Sequence, residues 1–132
     1  CALNIIPTSS GAAKAVGLVI PQLKGKFNGF AVRVPTPDVS LVDLSANLSK
    51  EASIEEINNA FRQAQDSSMK GIIFVDEDKC VSSDFIGYPY SAIIIPDKTL
   101  AIGKSIKVLA WYDNEMGYSR RLVDMALWAL EH

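Results

Sequence analysis

The sequence predicts an α+β fold: a mainly antiparallel or mixed sheet with helices packed on one face. Three observations carry this. Strand and helix patterns come in runs rather than in strict β-α alternation. Apolar residues alternate with period two in several separate segments. The 132 residues are 48% hydrophobic and 21% charged, a globular composition on a chain long enough for one domain with a core.

The elements follow in order. Asn4-Ile5-Ile6-Pro7-Thr8-Ser9-Ser10-Gly11 sets three consecutive hydroxyl side chains and a glycine ahead of an alanine-rich segment. A helical pattern then runs from Gly11 through Ala12, Ala13, Val16, Val19, Ile20 and Leu23, at spacings of three and four. Pro21 ends that helix or starts a separate turn, and Lys24-Gly25-Lys26 closes it. Phe30, Val32 and Val34 alternate with Gly29, Ala31 and Arg33, a strand pattern. Thr36-Pro37-Asp38 is a turn, and Val39 to Leu48 is a second strand with Val42, Leu44, Ala46 and Leu48 on one face. Its expected partner is the preceding strand, in an antiparallel hairpin.

Ser53-Ile54-Glu55-Glu56 is a capping box, with Ser53 as cap and Glu56 reaching back. Ile54, Ile57, Ala60, Phe61 and Ala64 form the expected buried stripe of the following helix. Gly71 to Val75 is a short buried strand, and Asp76-Glu77-Asp78-Lys79 a solvated turn lacking the glycine and distal glutamate of a calcium loop. No metal site is expected. Ser91 to Ile95 and Thr99 to Ile102 are short strands around Pro96-Asp97. Ile106, Val108, Ala110 and Tyr112 alternate with Lys107, Leu109, Trp111 and Asp113 in a longer strand. The last helix starts near Glu115 and is expected to bury Leu122, Val123, Ala126, Leu127 and Leu130.

Composition narrows the function. No apolar stretch is long enough for a membrane span, and the charged n-region and clean h-region of a signal peptide are missing. Cys1 and Cys80 are too few and too far apart for a disulfide framework or a zinc site. Reduced thiols in the cytoplasm are the default. The one histidine, His132, argues against a His-based dyad within the chain. The net charge of −2 and the lack of a basic run with aromatics argue against nucleic-acid binding. Residues 1–36 nevertheless hold Lys14, Lys24, Lys26 and Arg33 and no acid. That field favours an anionic ligand, although chance over so short a segment explains it equally well. Thr8 to Gly11 stands at a helix start, where free N–H groups and a partial positive charge suit either a hydroxyl cap or a phosphate or carboxylate. Local chemistry leaves both uses open.

Two segments carry more. One is Asn4 to Lys14. The other is Trp111-Tyr112-Asp113-Asn114-Glu115, followed by Gly117-Tyr118-Ser119 and Arg121-Leu122-Val123-Asp124. Between them stand Arg33-Val34-Pro35-Thr36-Pro37, Lys70-Gly71-Ile72 and Val81-Ser82-Ser83-Asp84-Phe85. In this order and spacing the chain closely resembles, over essentially its whole length, the C-terminal part of phosphorylating glyceraldehyde-3-phosphate dehydrogenase. In that family an enzyme cysteine attacks the aldehyde, a histidine acts as base, hydride passes to NAD, and inorganic phosphate releases the acyl group.

The resemblance implies that residues 1–132 are a partial C-terminal catalytic domain without the dinucleotide-binding domain. Residues 130–132, Leu-Glu-His, also match the start of a common cloning-vector tail. Ser10 falls where the family usually has a threonine of the inorganic-phosphate site, with Gly11 as a backbone contact beside it. The hydroxyl donor survives that change. Arg33 matches the arginine that bridges the two phosphate sites, a task suited to a planar guanidinium. Asn114 matches the asparagine that holds the nicotinamide carboxamide, with Tyr112 and Glu115 shaping the pocket. Read from the residues alone, Ser10 and Asn114 are ordinary caps and Arg33 a solvated strand residue.

The departures are equally informative. The catalytic cysteine in its Ser-Cys-Thr-Thr-Asn context is absent, and so are the catalytic histidine and the glycine-rich dinucleotide fingerprint. Neither Cys1 nor Cys80 replaces the nucleophile, and Met116 and Tyr90 are read as packing variation. The chain is therefore expected to be inactive alone and to bind no cofactor tightly. The parent would use NAD, with NADP open. Its partners would be a phosphorylated aldehyde, inorganic phosphate and further copies of itself through the sheet face. The alternatives are a non-catalytic assembly module, a remnant of a split gene, and a relative acting on erythrose 4-phosphate.

Overall fold

The computed structural model describes residues 3–132, so the reading of Cys1 lies outside the described residues. The chain divides into two compact units, Cys1–Pro37 and Asp38–His132, and each is described by itself.

In the first unit, β1 (Ile6–Ser9) pairs antiparallel with β2 (Phe30–Arg33), and α1 (Ala12–Val19) lies between them in sequence. Pro21 does end the helix and opens a single 3-10 turn, Pro21–Leu23, because it lacks the N–H the helix would need. This unit corrects the expected hairpin. β2 pairs with β1, and the second predicted strand pairs elsewhere. The cause is the connection. Pro35 and Pro37 bring no N–H to a ladder, the Thr36 N–H turns back onto the Val34 carbonyl, and Val39 adopts φ 62. Strand β1 was not foreseen. Its Pro7 is tolerable because this ribbon has only two strands, both edges.

The second unit is built around β7 (Ser105–Tyr112). One side of β7 carries β3 (Ser40–Asn47), antiparallel from Ser40↔Tyr112 to Asn47↔Ser105. The other side carries β5 (Ala92–Ile94) and then β6 (Leu100–Ile102), both antiparallel to it, and β4 (Ile73–Val75) adds parallel to β5. The result is a mixed sheet with α2 (Ile54–Asp66) and α3 (Met116–Glu131), the expected α+β class.

Register places Val42, Leu44 and Ala46 opposite Ala110, Val108 and Ile106, the common face that alternation predicted. Val75, Ile94, Val108 and Ala110 from that sheet bury Ile57 of α2 between them. A second cluster of Val39, Phe85 and Ile93, edged by Phe74, Cys80, Tyr90 and Trp111, completes the core. Tyr90 is indeed a packing residue, with its ring stacked on Phe74 at 5.3 Å. Met116 is instead exposed.

Helix α2 starts as predicted. Ser53 Oγ accepts the Glu56 N–H and the Glu56 carboxylate accepts the Ser53 N–H. Its inward stripe is rotated from the expected one: Ile54 and Ala60 are exposed, and Asn58 is buried instead. Asn58 is satisfied there, donating to the Pro96 carbonyl and accepting from Thr99 Oγ1. The turn at Asp76 also differs. Asp76 is buried and accepts the N–H groups of Asp78 and Cys80, while Glu77, Asp78 and Lys79 stay solvated.

The largest correction concerns α3. Leu122, Val123, Ala126, Leu127 and Leu130 are all exposed. The helix is instead held by its first turn and by a polar side chain: Arg121 donates to Ser91 Oγ at 3.1 Å and to the Gly71 carbonyl at 3.2 Å. Periodicity identifies an apolar face but not what covers it, and among the described residues of this unit nothing does.

The close approach at the start of α3 depends on a glycine. A Cβ at Gly117 would sit 2.9 Å from the Tyr90 carbonyl oxygen. Gly117→Ala is expected to lower stability by about 1–3 kcal/mol, as overpacking does. Urea titration should show an earlier midpoint with an unchanged slope.

Candidate functional site

The site residues predicted from sequence fall into two groups, one in each unit. In the first unit, Ser10 follows β1, and its Oγ accepts the Ala12 N–H at 3.2 Å. It therefore acts as the cap of α1, while remaining half-buried rather than enclosed. Gly11 is exposed with φ −76, and a Cβ there would meet nothing within 4 Å. Neither backbone nor packing requires a glycine at that position, which leaves its peptide open to close approach.

Arg33 ends β2 opposite Ile6, at the far end of the ribbon from Ser10. Four strand steps separate them, about 13 Å along the ribbon, and no hydrogen bond joins them among the described residues. The hydroxyl closest to Arg33 along the ribbon is Thr8. Directly paired residues share a face and alternate along it, so the pairs Ile6↔Arg33 and Thr8↔Ala31 put Thr8 on the Arg33 side.

In the second unit, Tyr112 closes β7 half-buried, and Asn114 stands two residues on, exposed, before α3 begins. Asn114 Oδ1 lies 3.4 Å from Ser40 Oγ at the start of β3, a long contact that leaves the amide nitrogen open to a ligand acceptor. Asn114 is not the helix cap. That task falls to Asp113, which the sequence reading passed over as one more residue of an alternating strand. Asp113 Oδ1 accepts the N–H groups of Glu115 and Met116 at 2.9 and 2.8 Å, and Oδ2 accepts that of Gly87 at 2.8 Å. An aspartate just ahead of a predicted helix start was the available signal.

Burial alone would raise the Asp113 carboxyl, but the N–H groups of Met116, Gly87 and Glu115 outweigh it and hold the group below its ordinary value. Cys80 lies the other way. Burial first, then Asp76, Asp84 and Asp78, push its thiol up, so it is a poor nucleophile at neutral pH. Among the described residues no cluster of histidine, cysteine or acid side chains could hold a metal ion, and no helix is long and apolar enough to cross a membrane.

An α+β domain with a mixed sheet, carrying hydroxyl, guanidinium and carboxamide groups at element ends, is the class defined so far. The family model described as glyceraldehyde 3-phosphate dehydrogenase, C-terminal domain, matches residues 1–114, and the chain belongs to that family. It is 55% identical over 124 residues to the glyceraldehyde-3-phosphate dehydrogenase of Priestia megaterium, covering 93% of this chain and 37% of the relative. The Geobacillus stearothermophilus enzyme is 54% identical over 124 residues, with the same coverage. A chloroplastic glyceraldehyde-3-phosphate dehydrogenase of Arabidopsis thaliana is 54% identical over 126 residues, covering 95% of this chain and 32% of the relative. The chain thus spans about a third of the length of these relatives.

The depressed carboxyl at Asp113 sets a pH dependence. Its folded value lies below the ordinary 3.8. Its stabilisation is therefore complete above that value and is lost as pH falls through the folded one. Asp113→Asn would turn an NH2 group toward a backbone donor and is expected to cost about 1–3 kcal/mol at neutral pH. Urea midpoints measured as pH falls below 3.8 should then drop less steeply in the variant than in the parent chain.

Proposed function

We propose that this chain is the distal part of the catalytic domain of an NAD-dependent, phosphorylating glyceraldehyde-3-phosphate dehydrogenase. In this reading residues 1–132 supply phosphate-site and nicotinamide-site groups. The observation that carries the reading is the collinear match to this family, together with the half-buried Ser10 and the exposed Arg33 and Asn114 where the resemblance puts the phosphate and nicotinamide contacts. The Ser10 hydroxyl and the Gly11 peptide stand at a helix start, where oxyanions are favoured. Arg33 offers a paired set of donors to a phosphate. Asn114 offers an amide to the nicotinamide carboxamide and so orients the ring. NAD, when bound, accepts the hydride. Among the described residues the one thiol, Cys80, is pushed up rather than depressed, and thioester chemistry needs a thiolate. Glyceraldehyde 3-phosphate is the substrate this reading names, and a reducing compartment such as the cytoplasm the setting.

Two measurements test it. Purified chain is expected to show no aldehyde-dependent NAD reduction above blank, and clear turnover would overturn the reading. Placed in the Geobacillus stearothermophilus enzyme instead of the 124 residues it matches, the chain should support activity. In that hybrid, Arg33→Ala should weaken inorganic phosphate by about tenfold to a hundredfold, the worth of a charge-assisted bond. Asn114→Ala should raise the KM for NAD.

A second reading, an assembly module, is favoured by one observation. Leu41, Val42, Leu100 and Ile102 of the sheet, and Leu127 and Trp128 of α3, are large apolar residues open to solvent. Such surface promotes self-association. Sedimentation of the chain should show mass rising with concentration, and a monomer at all concentrations would remove this reading.

A further inference from the structure

We propose that Asp113 is the positioning residue for Asn114: its buried carboxylate closes the turn on which Asn114 stands and ties that turn to the loop at Gly87. This rests on the reading that Asn114 holds the nicotinamide carboxamide.

The geometry surrounds Asn114 on both sides. Asp113 Oδ1 reaches over it to the N–H groups of Glu115 and Met116, and the Asp113 carbonyl accepts the Gly117 N–H. The peptide units before and after Asn114 therefore belong to one hydrogen-bonded ring. A helix cap needs only one of the two carboxylate oxygens. The other is spent on Gly87, 26 residues away, a bond that does nothing for α3 itself.

Gly87 makes that bond from φ +82, a conformation glycine adopts without strain. It follows a 3-10 turn, Ser82–Phe85, whose Phe85 is 2% exposed and belongs to the Val39–Ile93 cluster. The turn bearing Asn114 is thereby fastened to the core. A third anchor is Ser40, the Oγ donor to Asn114. Ser40 follows Val39, a buried β-branched residue at φ 62 whose N–H is taken by Asp38 Oδ1 at 2.7 Å. A left-handed valine costs about 1–3 kcal/mol. It brings the chain into β3 with Ser40 opposite Tyr112. This much constraint around an exposed side chain is what a preorganised ligand contact requires.

The test uses the isotope-labelled chain and the relaxation of Asn side-chain amides. In the parent chain the Asn114 amide is expected to be as ordered as the sheet backbone, with an order parameter of about 0.85, and Asn4, exposed near the start, to fall below about 0.6. Asn114 as mobile as Asn4 would overturn the proposal before any variant is made. Asp113→Ser keeps a cap for α3 but is too short to reach Gly87, and Asp113→Asn keeps Oδ1 but turns a donor on Gly87. Either folded variant should lose order at Asn114 while the β3 and β7 amides stay rigid. Unchanged order at Asn114 would overturn the proposal. In the hybrid enzyme, Asp113→Ser should raise the KM for NAD by about tenfold, equivalent to one hydrogen bond, with kcat less affected. If Asn114→Ala leaves that KM unchanged while Asp113→Ser still loosens Asn114, the cofactor reading falls and the positioning stands. If Asn114→Ala raises the KM but Asp113→Ser does not, the positioning falls and the cofactor reading stands.

Discussion

Strand β7 is the constraint on which the second unit depends. It is the only described strand bonded to three others, β3 on one side and β5 with β6 on the other. Its inward residues Val108 and Ala110 are buried against α2, and Trp111 from the opposite face edges the second cluster. A central strand paired along both edges cannot slip without turning its apolar set to water. Its last residue, Tyr112, is therefore a fixed point, and whatever follows it starts from a known place. Asp113 and Asn114 follow it.

That continuity explains how a rigid sheet and an exposed functional group coexist. The register carries order to Tyr112, and the Asp113 carboxylate carries it two residues further, around the turn and into α3. The Asp113 side chain is desolvated yet satisfied, because backbone donors replace water around it. Ser10 and Arg33 of the first unit rely on a shorter device, a two-stranded ribbon and a single hydroxyl cap. Small ribbons have little stability of their own, so ligand contacts there would be set less firmly than at Asn114.

Much of this was legible locally. Ser53 and Glu56 announce a capping box because each partner lies within four residues of the other. Pro21 stops α1 for a reason contained in one ring. The family resemblance needed only order and spacing along the chain. What was missed was non-local or reversed by context. Asp113 looked like one residue of an alternating strand, because its partner Gly87 is remote in sequence. Asn58 stands outside the apolar stripe expected for α2, yet it is buried and bonded to Pro96 and Thr99. The hairpin of β2 with β3 was the nearest pairing in sequence and lost to pairings closed over longer loops.

The sequence by itself determined the α+β class, most element positions, the family, and the residue types at the candidate sites. These follow from period, local capping chemistry and motif order, none of which requires knowing what touches what. Only the tertiary structure decided which strands pair, which side of α3 faces the sheet, and which acid grips the turn at Asn114. Each of those is a choice between surfaces of similar apolar content or between residues of the same type. It is settled by hydrogen-bond partners tens of residues away, which periodicity does not encode.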